Sequence, residues 1–181
     1  MHPRINELLE YVADQRRQLR STVEGIPSSR HNVAPTTGGW SILAVLEHLA
    51  IVEPRITAIL RKRGAELRAS DSPAESDAGP ILKNIDVNRF LDRTRKIEAP
   101  TPIHPTGAMD LEAAWSALDR SRTEFIDTVV SLDGLALGTA SHSHPIFGPV
   151  DLYTWIAFVG AHEARHADQI REIGSSFDEA P

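Results

Sequence analysis

Apolar residues recur every three or four positions along four long stretches of this chain of 181 residues. That period matches one face of an α-helix, and no stretch alternates apolar and polar residues for long enough to indicate a β-sheet. Capping residues mark the helix ends, such as Ser41 before the second helix and Gly134 after the third. The sequence therefore predicts an all-α protein built as a four-helix bundle. The predicted helices span about residues 3–24, 41–64, 110–132 and 151–173.

Loop lengths indicate how these helices connect. Residues 65–109 separate the second and third helices, which is far more than antiparallel neighbours need and enough to cross the bundle. The second and third helices would then run parallel, giving an up-down-down-up order. A short helix is expected within residues 86–96 of this crossing. We expect residues 1–174 to form a single domain and residues 175–181 to be a polar, disordered tail.

Composition narrows the class of function. The net charge is −6 and the basic residues are scattered among acidic ones, so no face for binding nucleic acid is expected. No apolar run approaches the roughly 18 residues of a membrane span, and no signal peptide is recognisable, so we expect a soluble, cytoplasmic protein. There are no cysteines, so any thiol chemistry requires a thiol from outside the chain.

Two histidines lie one turn apart in the fourth predicted helix, within the sequence HEARH at residues 162–166. This spacing lets a helix present two imidazoles to one metal ion. Both residues share an apolar helix face with Val159 and Ile170, so they lie at core positions. Two imidazoles do not complete a coordination shell, and a third ligand is therefore expected from another helix.

His48 is the best candidate for this third ligand. It lies on the inner face of the second helix, between Val45 and Val52. If the second and fourth helices are antiparallel, His48 and His166 each lie about 10 Å from the same end of the bundle. A single buried histidine is usually a core residue, but neighbouring buried imidazoles would leave several nitrogens without partners. We therefore predict a metal site formed by His48, His162 and His166.

Glu163 is the candidate catalytic group. HEARH matches the zinc-protease pattern in which this glutamate acts as general base on metal-bound water. The protease interpretation is disfavoured because no strand pattern and no further histidine follow His166. Glu163 is instead expected beside the helix seam, pairing with a basic residue or touching bound water. Arg16 and Arg122 interrupt apolar patterns and are expected to be flanking residues that reach solvent.

The other histidines lie near the N-terminus or in loops, where exposure to solvent is the expectation. In the predicted topology His31 and His104 approach the metal end of the bundle, whereas His142 and His144 lie at its opposite end. His104 is therefore a candidate residue for binding a cofactor or substrate in a pocket beside the metal.

Several motifs together resemble the DinB-like superfamily, over about Leu8 to Ile173. The resemblance implies an up-down-down-up four-helix bundle that binds a divalent metal through His48, His162 and His166. It also implies a homodimer, and some relatives are transferases or isomerases that use mycothiol, bacillithiol or glutathione. The motifs are Trp40-Ser41 with His48 seven residues later, His144-Pro145 with Phe147-Gly148, and His162-Glu163 with Arg165-His166 and Gln169-Ile170.

The sequence supports three functional hypotheses. The first is a metal-dependent enzyme acting on a small molecule, either a transferase that uses a low-molecular-weight thiol or a hydrolase. Zinc or nickel is the expected metal, and imidazole ligands also suit iron, cobalt or manganese. The alternatives are a non-catalytic metal- or ligand-binding module and a helical interaction protein without metal. None of the three requires a nucleic-acid or membrane partner.

Overall fold

The computed structural model describes residues 1–36, 38–94 and 98–177. Helices dominate this part of the chain, and a single small hairpin accompanies them there. The helices are α1 (Pro3–Glu24), α2 (Ile42–Ala69), α3 (Asn88–Leu91), α4 (Leu111–Ser131) and α5 (Leu152–Ser176), and the strands are β1 (Ser141–His144) and β2 (Gly148–Asp151). Among these residues no helix is both long and apolar enough to cross a membrane.

Side-chain caps begin all four long helices, and His2 is the cap of α1. Ser41 accepts a hydrogen bond from the backbone of α2, Asp110 does so for α4, and Asp151 does so for α5. These caps satisfy amide groups that have no partner within the helix. The starts of these helices are therefore encoded locally, as the sequence predicted. The short helix expected within residues 86–96 is α3, and residues 95–97 lie outside the described part of the chain.

Two helix ends differ from the prediction because glycine was interpreted as a stop signal. Helix α2 continues through Gly64, where a Cβ atom would lie 2.1 Å from Leu132 Cδ2. Helix α5 continues through Gly174, where a Cβ atom would lie 2.9 Å from Ile26 Cδ1. Both glycines are needed for close packing and not for helix termination. The first two residues of the predicted tail are thus helical, and residues 178–181 lie outside the described residues.

The helices pack in pairs around two apolar clusters. Helix α1 packs along α5, α2 packs along α4, and α2 also contacts α5. One cluster includes Leu8, Phe125 and Ile156, and the other includes Leu46 and Ile170. All five of these side chains are fully buried. Contact between α2 and α5 is what allows histidines from these two helices to meet.

The hairpin formed by β1 and β2 contradicts the all-α expectation. The two strands pair antiparallel over four residues each. Alternation over so few residues, several of them Ser, His, Gly or Pro, gives no sequence signal for a strand. Gly148 has a φ of +71°, which favours glycine at the end of the turn. The indole nitrogen of Trp155 donates to the His142 carbonyl at 3.1 Å and so holds the hairpin against α5.

We expect Gly64→Ala to lower the free energy of unfolding by about 1 kcal/mol. The added methyl group must displace the buried Leu132 side chain, and overpacking of about 1–3 kcal/mol outweighs the roughly 0.5–1 kcal/mol of improved helix propensity. Urea unfolding of Gly64→Ala, Leu132→Ala and the double variant measures the coupling. In the Leu132→Ala background the same change should be stabilising. A stabilising Gly64→Ala in the wild-type background would contradict the close packing of α2 on Leu132.

Candidate metal centre

The three histidines singled out by the sequence converge inside the bundle. His48 comes from α2 and His162 and His166 from α5, and one ligand nitrogen of each lies within 4.8 Å of the others. The Nε2 atom of His162 lies 3.4 Å from His48 Nε2 and 3.1 Å from His166 Nε2. His48 is 3% exposed and His166 8% exposed, whereas His162 is half-buried. The same ring nitrogen of all three residues therefore points to one place.

Outer hydrogen bonds fix the tautomers of two of these rings. His48 Nδ1 lies 2.7 Å from the Ile103 carbonyl, which can only accept, so Nδ1 carries the proton. His166 Nδ1 lies 2.7 Å from Gln169 Oε1 and donates to it in the same way. Both neutral rings then present a lone pair on Nε2. His162 Nε2 can donate a proton to only one of them, so at least one close N···N contact is left without a hydrogen bond.

This donor set fits a divalent metal ion. Bonds of about 2.0–2.1 Å to tetrahedral zinc separate two ligand nitrogens by about 3.3 Å, close to the spacing of the Nε2 atoms. Burial lowers the pKa of His166 to about 3 and also lowers the pKa of His48 and His162. The rings are therefore neutral at neutral pH, as metal ligands must be. A carbonyl or amide acceptor behind the ligand is also typical of histidine metal sites.

Beside the histidines lies a buried cluster of four charged residues, here called the ion quartet. It takes one residue from each long helix: Arg16 from α1, Glu53 from α2, Arg122 from α4 and Glu163 from α5. The expectation that the two arginines flank the bundle and reach solvent is wrong. Each carboxylate pairs with both of them, and this mutual neutralisation is what makes burial of the four charges possible.

Contacts within the ion quartet are short and directional. Arg16 Nε lies 2.6 Å from Glu163 Oε1, and its terminal nitrogen lies 3.0 Å from Glu53 Oε2. Arg122 binds both oxygens of Glu53, at 2.9 and 3.1 Å, and lies 3.0 Å from Glu163 Oε1. The remaining guanidinium nitrogens donate to the carbonyls of Leu118 and Val12. The quartet thus connects all four long helices through side-chain and backbone acceptors.

Glu163, the candidate catalytic group, is held mainly by this quartet. It is 1% exposed, and its Oε1 atom faces both arginines. Burial raises the pKa of Glu163, while Arg122 and Arg16 oppose that shift. Its Oε2 atom is buried and has no hydrogen-bond partner. The expected pairing with a basic residue is therefore present, and one carboxylate oxygen remains available for a further contact.

The loop histidines occupy several different environments. His31 is buried, contrary to expectation, and its Nε2 lies 2.8 Å from the Ile26 carbonyl. His104, the pocket candidate, is exposed, with its ring edge against Trp40 at 6.0 Å between centroids. Trp40 in turn contacts the His48 ring at 4.9 Å. His104 therefore lies one aromatic ring away from the histidine cluster and does not touch it.

The hairpin brings His144 unexpectedly close to the cluster. His144 is half-buried, where the sequence predicted exposure at the opposite end of the bundle, and its ring lies 4.8 Å from that of Phe158. Phe158 stacks on His162 with centroids 5.2 Å apart. Burial and nearby Arg89 lower the pKa of His144 to about 4, so this ring is neutral. His142, on the same strand, is exposed, as expected.

Glu47 holds a loop that supports His48, and this glutamate was not among the residues predicted from the sequence. Glu47 is buried, and its carboxylate accepts hydrogen bonds from Thr106 and Gly107. Burial alone would raise its pKa, but these hydrogen bonds outweigh that effect and lower it. The loop they hold includes Ile103, whose carbonyl fixes the His48 tautomer. The available signal was a charged residue directly before a candidate ligand, within residues 42–52 of α2, where all the other residues are apolar.

Comparisons with known proteins agree on the family and the fold. The family model described as the DinB superfamily matches residues 11–170. YuaE, an uncharacterized protein of Bacillus subtilis strain 168, is 26% identical over 159 residues, covering 87% of this chain and 91% of YuaE. The crystal structure of TT2238, a four-helix bundle protein, is similar with a TM-score of 0.60 and 20% identity, covering 93% of this chain and 98% of TT2238.

We expect Arg122→Met to lower the free energy of unfolding by about 3–5 kcal/mol, because it leaves the two buried carboxylates of the ion quartet with Arg16 as their one remaining guanidinium partner. The matched control is Arg171→Met, which removes an exposed ion pair with Asp168. That change should have little effect, as is usual for surface pairs. Chemical denaturation of both variants provides the measurement. Similar, small effects of the two substitutions would show that the ion quartet does not hold the helices together.

Proposed function

Because the chain belongs to the DinB superfamily and its three converging histidines point Nε2 at one place, we propose that it binds a divalent cation through His48, His162 and His166. We further propose that it is a metal-dependent enzyme acting on a small molecule. The observation that carries this proposal is the tautomer pattern, which leaves the histidine lone pairs facing one another. The proposal includes an up-down-down-up helix order, which would bring His48 level with the other two.

A divalent cation at this site would act as a Lewis acid, lowering the pKa of a thiol or water and stabilising negative charge on a carbonyl oxygen. The surrounding residues favour a ligand that brings negative charge. After burial and the neighbouring histidines, the charged groups that most lower the pKa of His162 and His166 are Arg165 and Arg93. The positive potential of these arginines is partly balanced, because Arg93 pairs with Glu172 and the charges of Asp92 and Glu172 also act on Arg165.

A thiol-dependent transferase satisfies this requirement best. The chain contains no cysteine, so a low-molecular-weight thiol would be the nucleophile, and three protein ligands leave a position open for it. The Phe158 ring stacks on the partly exposed His162 ring and also contacts His144. These rings would offer an apolar surface to an electrophile. A hydrolase would use the same open position for water. Zinc or nickel is the proposed metal.

The second candidate is a non-catalytic module that binds a metal or small molecule. The close protein acceptors behind His48 and His166 are compatible with this candidate, because they hold the two rings rigidly and rigid ligands suit a structural ion as well as a catalytic one. The two candidates differ in whether bound metal produces turnover. A helical interaction protein without metal is the third candidate, and it differs from both in binding no ion at all.

We expect the purified, metal-free protein to bind one zinc ion per chain, and His166→Ala to lose that binding, because two imidazoles cannot complete the site. Isothermal titration calorimetry and elemental analysis measure it. His142→Ala is the control, since it removes an exposed histidine outside the cluster. Saturating zinc should also raise thermal stability, by about 4 kcal/mol at a thousandfold excess over Kd. Equal zinc binding by all three proteins would rule out the proposed ligands.

We expect zinc- or nickel-loaded protein to accelerate conjugation of a thiol to an electrophile, with His48→Ala showing only the uncatalysed rate. The assay would combine mycothiol, bacillithiol or glutathione with a panel of epoxides, alkyl halides and α,β-unsaturated carbonyl compounds, and would follow loss of free thiol. An ester panel without thiol tests the hydrolase form. If wild-type and His48→Ala proteins do not differ in any assay although wild-type binds metal, the non-catalytic module is the better description.

A further inference from the structure

His162 is the one ligand candidate without an outer hydrogen bond in the described part of the chain. When its Nε2 lone pair faces a cation, the proton of the neutral ring must lie on Nδ1. In His48 and His166 this Nδ1–H group donates a hydrogen bond, to the Ile103 carbonyl and to Gln169 Oε1 respectively. A histidine ligand usually has such an acceptor, which sets its orientation and basicity. The third ring therefore needs an acceptor of the same kind.

Glu163 Oε2 is the acceptor that lacks a donor. It is buried without a hydrogen-bond partner, whereas Oε1 of the same carboxylate faces Arg16 and Arg122. Glu53, the other carboxylate of the ion quartet, has both oxygens engaged by arginine. An unsatisfied buried carboxylate oxygen is costly, and buried water is the usual remedy. Glu163 Oε2, the acceptor without a donor, thus belongs to the residue next to the ligand candidate that lacks an outer acceptor.

A small cavity lies between these two side chains. Its volume is about 10 Å³, which is at the lower limit for one water molecule. Polar and apolar residues both contribute to its lining. The cavity is lined by Leu49, Glu53, Ile56, Val159, His162 and Glu163.

We propose that Glu163 is a positioning residue for the metal centre, acting through a single water molecule in this cavity that accepts from His162 Nδ1 and donates to Glu163 Oε2. This proposal rests on the proposed metal site and adds the outer partner of its third ligand. Because Arg16 and Arg122 hold the Glu163 carboxylate, the water transmits the position of α1 and α4 to the His162 ring. No proton leaves Glu163 or the water in this role.

The experiment compares zinc-loaded wild-type protein with Glu163→Gln, using ¹⁵N-labelled samples. In wild-type protein, long-range ¹H–¹⁵N spectra should show His162 bound through Nε2, with an Nδ1 proton that exchanges slowly with solvent. In Glu163→Gln the amide group turns a donor towards the cavity, because the amide oxygen must remain with the arginines. The slow Nδ1 proton should then be lost, and zinc affinity should fall by about 10- to 100-fold.

Glu75→Gln is the matched control, because it removes the charge of a largely buried carboxylate that pairs with Arg4 and lies outside the cavity lining. Its unfolding midpoint should fall, while the His162 proton and the zinc affinity should stay as in wild-type protein. Val159→Ile is a second test that leaves the quartet intact and fills the cavity with a methyl group. It should remove the slow proton in the same way, so the proposal remains testable if Glu163→Gln does not fold.

Several results would overturn the proposal. One is a wild-type spectrum with His162 bound through Nδ1. Another is an unchanged His162 proton and zinc affinity in both Glu163→Gln and Val159→Ile. Failure of wild-type protein to bind zinc would overturn the metal site as well. Zinc binding by wild-type protein, with no effect of either substitution, would remove only the role of Glu163 and its water.

Discussion

The rest of the structure depends on the ion quartet, because it fixes the relative positions of the four long helices. Sliding one helix by a turn would leave two arginines and two carboxylates unpaired in the core, and breaking even one buried pair is costly. An apolar core tolerates such shifts more readily, since one aliphatic side chain can replace another of similar volume. The quartet pairs a residue of α2 with a residue of α5 through shared arginines. It thereby sets the heights at which His48 and His162 meet.

Histidine convergence also depends on contacts outside the helices. His48 is oriented by the Ile103 carbonyl, and that carbonyl belongs to a loop held by Glu47 on the same helix. His166 is oriented by Gln169, one turn further along α5. The first arrangement spans more than fifty residues of sequence, whereas the second is local. His48 and His166 thus have the same tautomer, although one is oriented by a distant loop and the other by its own helix. Both direct Nε2 towards the point where the three histidines converge.

Features set by local spacing could be predicted from the sequence, and those set by distant partners could not. The i, i+4 spacing of His162 and His166 and the capping residues Ser41 and Asp110 encode their own geometry. Arg16 and Arg122 were misplaced because periodicity records residue type and contains no information about a partner on another helix. Gly64 was misinterpreted for the same reason, since its meaning depends on Leu132. The hairpin was not predicted because strands of four residues show too little alternation of apolar and polar residues. The position of His144 was wrong for the same reason, since this residue lies in the hairpin.

Charge balance connects the quartet to the chemistry of the site. The two guanidinium groups and two carboxylates sum to zero, and three neutral imidazoles add nothing, so the protein supplies no negative charge to a cation held by the histidines. Isolated charge in a buried setting is unfavourable, and it is relieved when a partner of opposite charge binds. A carboxylate ligand would have supplied that partner from the chain itself. In the proposed metal centre none of the three converging residues is a carboxylate, so an ionised thiol or water bound to the cation would supply the negative charge that a neutral ligand does not.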